Sequence, residues 1–299
     1  MNAMGGILFF YRRMASPLHA TRATVGAAWA LSLTAATLIL FHPLVLLALL
    51  AAVLGAGVGA GVGRLLVRSL RTALIVAVPI VVINVLVSRQ GLTVFARLGD
   101  LGPFGQGDLT LEALLYGAVI ALKVTLLILI TTLAGLAVDP DELLRVFRRL
   151  SFRSALTASL ATRMLPLLSA DAQRLGEAQR TRSTGAPSGA RGRVALLAAV
   201  IGGSLDRAMD VAATLEVRGF ATARRAPRLV HPFSRHDIAF AASSLAILGL
   251  ALGGRLAGAA TFTAYPTAHM PTGAGTLVLC AALIVAVLLP FCDRRGIEP

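Results

Sequence analysis

Two short runs in this sequence place arginines where amphipathic helices should end. The first is Glu177-Ala178-Gln179-Arg180-Thr181-Arg182-Ser183. The second is Ala213-Thr214-Leu215-Glu216-Val217-Arg218-Gly219-Phe220. In each, an arginine is followed within three residues by a glycine, Gly185 and Gly219. Two chemistries fit this pattern. Arginine near a helix C-terminus complements the helix dipole, and glycine stops the helix. Alternatively, an exposed guanidinium at a helix end inserts into a pocket on a soluble partner and pairs bidentately with its carboxylates. Two such ends in one basic segment would serve two copies of a partner.

Catalytic and metal motifs are missing from the sequence. There is no GxxxxGK[ST], and Lys123 is the single lysine, so no P-loop forms. There is no HExxH and no GxSxG. His19, His42, His231, His236 and His269 are scattered over termini, turns and loops. Asp139, Asp141 and Glu142 are better explained as a helix start than as a metal cluster. Cys280 lies inside an apolar run and Cys292 at its end, so no disulfide is expected. Neither a metal nor another cofactor is expected, and the chain is not read as an enzyme. A permease that carries its own solute would show polar or broken helices at the midplane. The candidates are Pro79, Asn84 and Lys123, and a structural role is favoured for Lys123.

The elements that position the two arginine runs follow from composition. The chain has 299 residues, 57% hydrophobic and 14% charged, with a mean hydropathy of +0.80. Soluble domains are about 25% charged. The apolar excess lies in long runs, which read as membrane spans. Six are expected: 24–41, 43–62, 72–88, 112–137, 237–254 and 273–291. His42-Pro43 separates the first two. Gly55, Gly59 and Gly63 share one face of the second and permit close helix approach, within one chain in preference to between two. Arg64, Arg68 and Arg71 are read as a connecting loop, and 89–110 as another, with a short interfacial piece allowed. A re-entrant piece near 255–270 is left open. The N-terminus, with Arg12 and Arg13 ahead of a long span, is read as retained rather than as a signal peptide.

The expected fold class is all-α: a polytopic membrane protein with about six spans and a helical cytoplasmic segment between the fourth and fifth. The organisation is a bundle of about four spans over 1–138, a cytoplasmic segment over 139–235, and about two spans over 236–299. The middle segment has 16 arginines against 8 acids. Asp139-Pro140-Asp141-Glu142 starts a helix there, with acids at its positive end. A break or kink at Pro166 precedes a helix over 167–183. An apolar helix over 193–203 and a further helix over 204–218 follow. Leu205, Ala208, Met209, Ala212 and Leu215 form the stripe of the last. With both termini cytoplasmic, 24 arginines fall inside and only Arg89, Arg97 and Arg255 outside, as the positive-inside rule requires. The excess of 28 cations over 14 acids is therefore assigned to topology. Acids interleaved with the arginines argue against nucleic acid.

The two arginine runs resemble the paired Ala-Arg-Ser and Ala-Arg-Gly signatures of the energy-coupling factor transporter T component. That family includes the permease of cobalt importers. Thr131-Thr132 and Asp139-Pro140-Asp141-Glu142-Leu143-Leu144 are also similar to it, as is the order of spans and cytoplasmic segment. The resemblance is good over about 110–225 and architectural elsewhere. Thr181 and Val217 stand where the family usually has alanine. The resemblance implies a scaffold joining two ABC-type ATPases to a small substrate-binding membrane subunit, in a bacterial inner membrane, for vitamin or transition-metal uptake. It implies docking of Arg182 with Ser183, and of Arg218 with Gly219, in grooves of the two ATPases. Arg180 is the alternative to Arg182 in the first run.

Overall fold

A computed structural model describes residues 15–88, 91–100, 106–140, 142–143, 152–181, 189–217, 233–265 and 269–293. The apolar runs fold as helices, because a backbone in hydrocarbon must satisfy its own hydrogen bonds. Helix α1 covers Ala23–Ile39, α2 Pro43–Gly59 and α3 Gly63–Val87. Strands β1 (Val94–Asp100) and β2 (Gln106–Thr110) pair antiparallel, and α4 follows over Leu111–Ala137. Then come α5 (Phe152–Thr181) and α6 (Gly189–Val217). The chain finishes with α7 (Arg235–Leu256), α8 (Ala274–Leu288) and a 3-10 turn, Leu289–Phe291. This is an all-α polytopic membrane protein carrying one small hairpin. Among the described residues four helices are long and apolar enough to cross a membrane: α3, α4, α7, and α8 with its 3-10 turn. Helices α1 and α2 are apolar but shorter, at 17 residues each.

Four expectations are corrected. Arg64, Arg68 and Arg71 do not form a loop: they occupy the first turns of α3. Arginine is a good helix former, so charge alone does not end a helix. Segment 89–110 is not a plain loop but holds the β1–β2 hairpin. Glu112 fastens the chain just before that hairpin to α4, accepting from the Thr93 hydroxyl at 2.7 Å and the Thr93 amide at 3.2 Å. Pro166 does not break the segment, since α5 runs through it. A single proline removes one hydrogen bond and leaves long flanks to propagate. Nor is there a boundary between 203 and 204, because α6 is continuous through Gly202 and Gly203.

The chain divides into two compact units. One comprises Met1–Leu143 and Phe233–Pro299, the other Leu144–Pro232. The first unit has a core built on α1, α2, α4, α7 and α8. Trp29, Phe240 and Phe291 meet edge-on at its centre, with centroids 5.2–5.8 Å apart. The Trp29 indole donates to Ser243 Oγ at 3.0 Å, and Ser243 donates to the Ala286 carbonyl at 2.6 Å. One polar thread thus joins α1, α7 and α8 inside an apolar core. The α2 glycines work within the chain: a Cβ on Gly55 would sit 3.0 Å from Leu288, and one on Gly59 would sit 2.8 Å from the Phe291 ring. Gly63 instead abuts Val58 of its own turn.

Candidate functional site

The two arginine runs begin within the paired helices of the second unit. Helix α5 is described through Thr181 and α6 through Val217, in each case up to the residue before the arginine of interest. Arg180 lies in the last turn of α5. Arg182, Ser183, Arg218 and Gly219 lie outside the described residues. The turns leading to them are exposed. Thr181 and Thr214 fold their hydroxyls back onto Ala178 and Val211 carbonyls at 2.9 and 2.8 Å. Val217 is 89% exposed.

Helices α5 and α6 pack on each other, joined by the Arg207–Asp171 ion pair at 3.0 Å. The expected stripe on α6 is largely not buried: Leu205, Ala208, Met209 and Ala212 are exposed, and Leu215 is half-buried. It continues upstream through exposed Val194, Leu197 and Ile201. Helical spacing carries these side chains along one face. A long apolar face on a segment too charged to span is an uncommon feature of a soluble surface and marks an interaction site.

The first unit holds the points where the chain leaves for this segment and returns. Residues 140, 142 and 143 are helical, and the Leu143 amide donates to the Asp139 carbonyl at 3.1 Å. This is the helix start expected from Asp139-Pro140. Glu142 reaches the N-terminus of α1, accepting from the Ala23 amide at 3.1 Å. On the return, Ser234 and Asp237 form a reciprocal capping box at the start of α7. Asp237 also accepts from the Arg22 amide at 2.8 Å and lies 3.5 Å from Arg22 Nε. The Arg22 guanidinium lies 4.0 Å over the Phe233 ring. Both junctions are thus fastened to one helix end by carboxylates. Those carboxylates satisfy amides that α1 cannot pair itself. Sequence reading missed this clasp. Ser-x-x-Asp before the apolar run 237–254 is a capping signal, but nothing local names Arg22 as a partner.

Two of the three midplane candidates, Lys123 and Asn84, have structural occupations. Lys123 is buried and donates to the Leu38 carbonyl at 3.1 Å, with its ammonium 3.1 Å from the centre of the Phe41 ring. Asn84 donates to the Ile80 carbonyl of its own helix at 2.9 Å. Beside Asn84, α4 approaches closely at Gly117, where a Cβ would lie 3.0 Å from Asn84 Cβ and 3.3 Å from Val81 Cα. Pro79 is an exposed residue within α3. Among the described residues no group of three or more His, Cys, Asp or Glu could hold a metal ion.

Comparison with known proteins agrees with this layout. Residues 14–229 match the family model described as CbiQ, cobalt transport protein. A protein of Leuconostoc gelidum subsp. gasicomitatum named energy-coupling factor transporter transmembrane protein EcfT is 31% identical over 162 residues, covering 48% of this chain and 59% of the relative. A protein of the same name from Macrococcus caseolyticus is 28% identical over 132 residues, covering 39% of this chain and 50% of the relative. The chain therefore spans between half and three-fifths of the length of these curated relatives. The family match runs through the first four apolar helices and the whole of the α5–α6 pair, and on that span the chain belongs to the CbiQ cobalt transport protein family.

Proposed function

We propose that this chain is the transmembrane coupling (T) component of an energy-coupling factor importer. It would pass the motion of two ABC-type ATPases to a small substrate-binding membrane subunit, and would not itself be catalytic. The observation that carries this reading is the placement of α5 and α6. Both are helical up to the residue before Arg182 and Arg218, with Thr181 and Val217 exposed, in a unit distinct from the membrane bundle. Names of the curated relatives support the same assignment. In this reading Arg182 and Arg218, with Ser183 and Gly219, enter acidic grooves of the ATPases. Arg180 is the alternative in the first run. The exposed α6 stripe would receive the substrate-binding subunit. The Glu142–Asp237 clasp on α1 would transmit displacement of the segment to the bundle as a rigid-body movement. Both termini would be cytoplasmic, in a bacterial inner membrane.

A permease carrying its own solute is the poorer reading, because Lys123 and Asn84 are occupied with backbone carbonyls. Co-purification in mild detergent tests the proposal. The chain is co-expressed with energy-coupling factor ATPases of the same genome and compared with an Arg182→Ala/Arg218→Ala variant. The ATPases should follow the native chain and be lost, or reduced at least about tenfold, with the variant, since each desolvated charge pair is worth about 2 kcal/mol or more. Equal recovery with both forms makes the arginines helix caps. Recovery with neither removes the assignment.

A further inference from the structure

We propose that the outer face of α3 is a seat for an anionic phospholipid, with Arg64, Arg68 and Arg71 holding the phosphate and Ile75, Val78 and Val82 lying along an acyl chain. These six residues follow one another at spacings of three and four in one helix. At 3.6 residues per turn they fall within an arc of about 80°. The buried residues of α3, Leu66, Ser69, Ala73 and Ala77, occupy the opposite side, which is the side that packs on α4. The six are therefore not spare parts of the bundle core. All three arginines are exposed, and Ile75 and Val78 are 72% and 63% exposed. Only 6% of the apolar window of α3 is buried, against 50% for α4.

The charge on this face lacks an internal answer. The first acid in the chain is Asp100, so no carboxylate lies near α3 in sequence. The three arginines make no ion pair among the described residues. Arg64 also sits in the first turn of α3, at the positive end of its dipole, where a cation is disfavoured and an anion is favoured. A guanidinium fork pairs bidentately with phosphate, and three over about 10 Å of helix rise can surround one headgroup. The occupant is a lipid and not free phosphate because the basic part continues without interruption into an exposed apolar strip. A soluble anion would leave that strip unused, whereas an acyl chain covers it. Juxtamembrane arginines attract anionic lipid generally. What this helix adds is alignment of headgroup and chain contacts on a single face.

A fluorescence experiment tests the seat. The full chain carrying Ile75→Trp is reconstituted in phosphatidylcholine vesicles. Brominated phosphatidylglycerol or brominated phosphatidylcholine is added as quencher. Trp29, the native tryptophan, is 1% exposed and supplies a constant background. Half-quenching should need roughly tenfold less of the brominated anionic lipid, given the attraction of three basic residues near a membrane surface. The preference should vanish in Arg64→Gln/Arg68→Gln/Arg71→Gln. If that variant does not fold, raising salt with the arginines intact should erode the preference. Equal quenching by the two lipids overturns the proposal, as does a preference that survives the triple substitution or is indifferent to salt. Relief of quenching by millimolar inorganic phosphate at constant ionic strength would make this a free-phosphate site and would also overturn it.

Discussion

The two ends of α1 receive opposite treatment from distant parts of the chain. At the N-terminal end the Arg22 and Ala23 amides are met by Asp237 and Glu142, 215 and 119 residues away. At the C-terminal end the Leu38 and Ile39 carbonyls are met by Lys123 and Arg255, 85 and 216 residues away. The helix has no acid in its own first turn and no base in its last. Every helix leaves amides and carbonyls unpaired at its ends, and the dipole favours acids at one and bases at the other. An apolar span of 17 residues is too short to carry those charges itself and stay in the bilayer. Its caps are supplied by α4, by α7 and by the helix start at Pro140. The difference between the ends lies in their surroundings. The acidic end ties down both junctions of the α5–α6 unit, while the basic end ties only membrane helices together.

That contrast sets an order of effects. Asp237→Ala should do the most damage. It removes a side chain that is 2% exposed, empties the α7 capping box and takes away the carboxylate that meets Arg22. Loss of one partner from a buried pair costs about 3 kcal/mol or more. Thermal unfolding followed by size exclusion in mild detergent should show a fall in Tm of several degrees. An unchanged Tm would show that the clasp is idle. Lys123→Ala comes next, at about 1–2 kcal/mol, for a lost hydrogen bond and lost packing of the lysine stem. Lys123→Met should recover much of that loss, because it keeps the stem and removes the cost of a cation at membrane depth. Should Met behave no better than Ala in the same assay, the ammonium itself matters more than the packing. Arg255→Gln should cost under about 1 kcal/mol, since Arg255 is exposed.

The smallest effect concerns His42, in the turn just past the basic end. It is fully buried, and burial pushes its imidazole below the ordinary histidine range, offset in part by the Pro271 carbonyl. The unfolded chain then binds a proton more readily than the folded one. Stability from this group is fully present above about pH 6.5, the unfolded value, and is lost as pH falls through the lower folded value. A Tm profile between about pH 7.5 and pH 5 should decline on the acid side, by less in His42→Gln. Identical profiles would assign that decline to other groups.

Sequence reading recovered what is local and periodic. The spans were legible from run length, the α1–α2 boundary from His42-Pro43, and the helix start from Asp139-Pro140. The arginine runs were read as helix ends, and α5 and α6 are helical up to the residue before Arg182 and Arg218. What failed was punctuation inside long helices. Pro166 and Gly202-Gly203 weaken a helix locally, but a helix of about 30 residues propagates through them. Arg64, Arg68 and Arg71 looked like a loop because charge was taken as a boundary. The hairpin was hidden because Val94-Phe95-Ala96-Arg97 shows no clear two-residue alternation. The trans caps of α1 were out of reach for a different reason. Their partners are 85 to 216 residues apart, and only the folded topology brings them together.

The clasp at Arg22 also constrains how the molecule is made. A ribosome delivers Arg22 early, then 77 residues pass before Asp100, the first acid after it, emerges, and 214 before Asp237 does. Arginines alone are available to orient the first three helices during insertion. The Ala23 amide can be met once Glu142 emerges, but the Arg22 amide must wait for Asp237 until α7 begins to leave the ribosome. Closing the clasp is therefore possible only after the α5–α6 segment has been made. A nascent chain stalled before Ser234 would leave the Arg22 amide without its carboxylate.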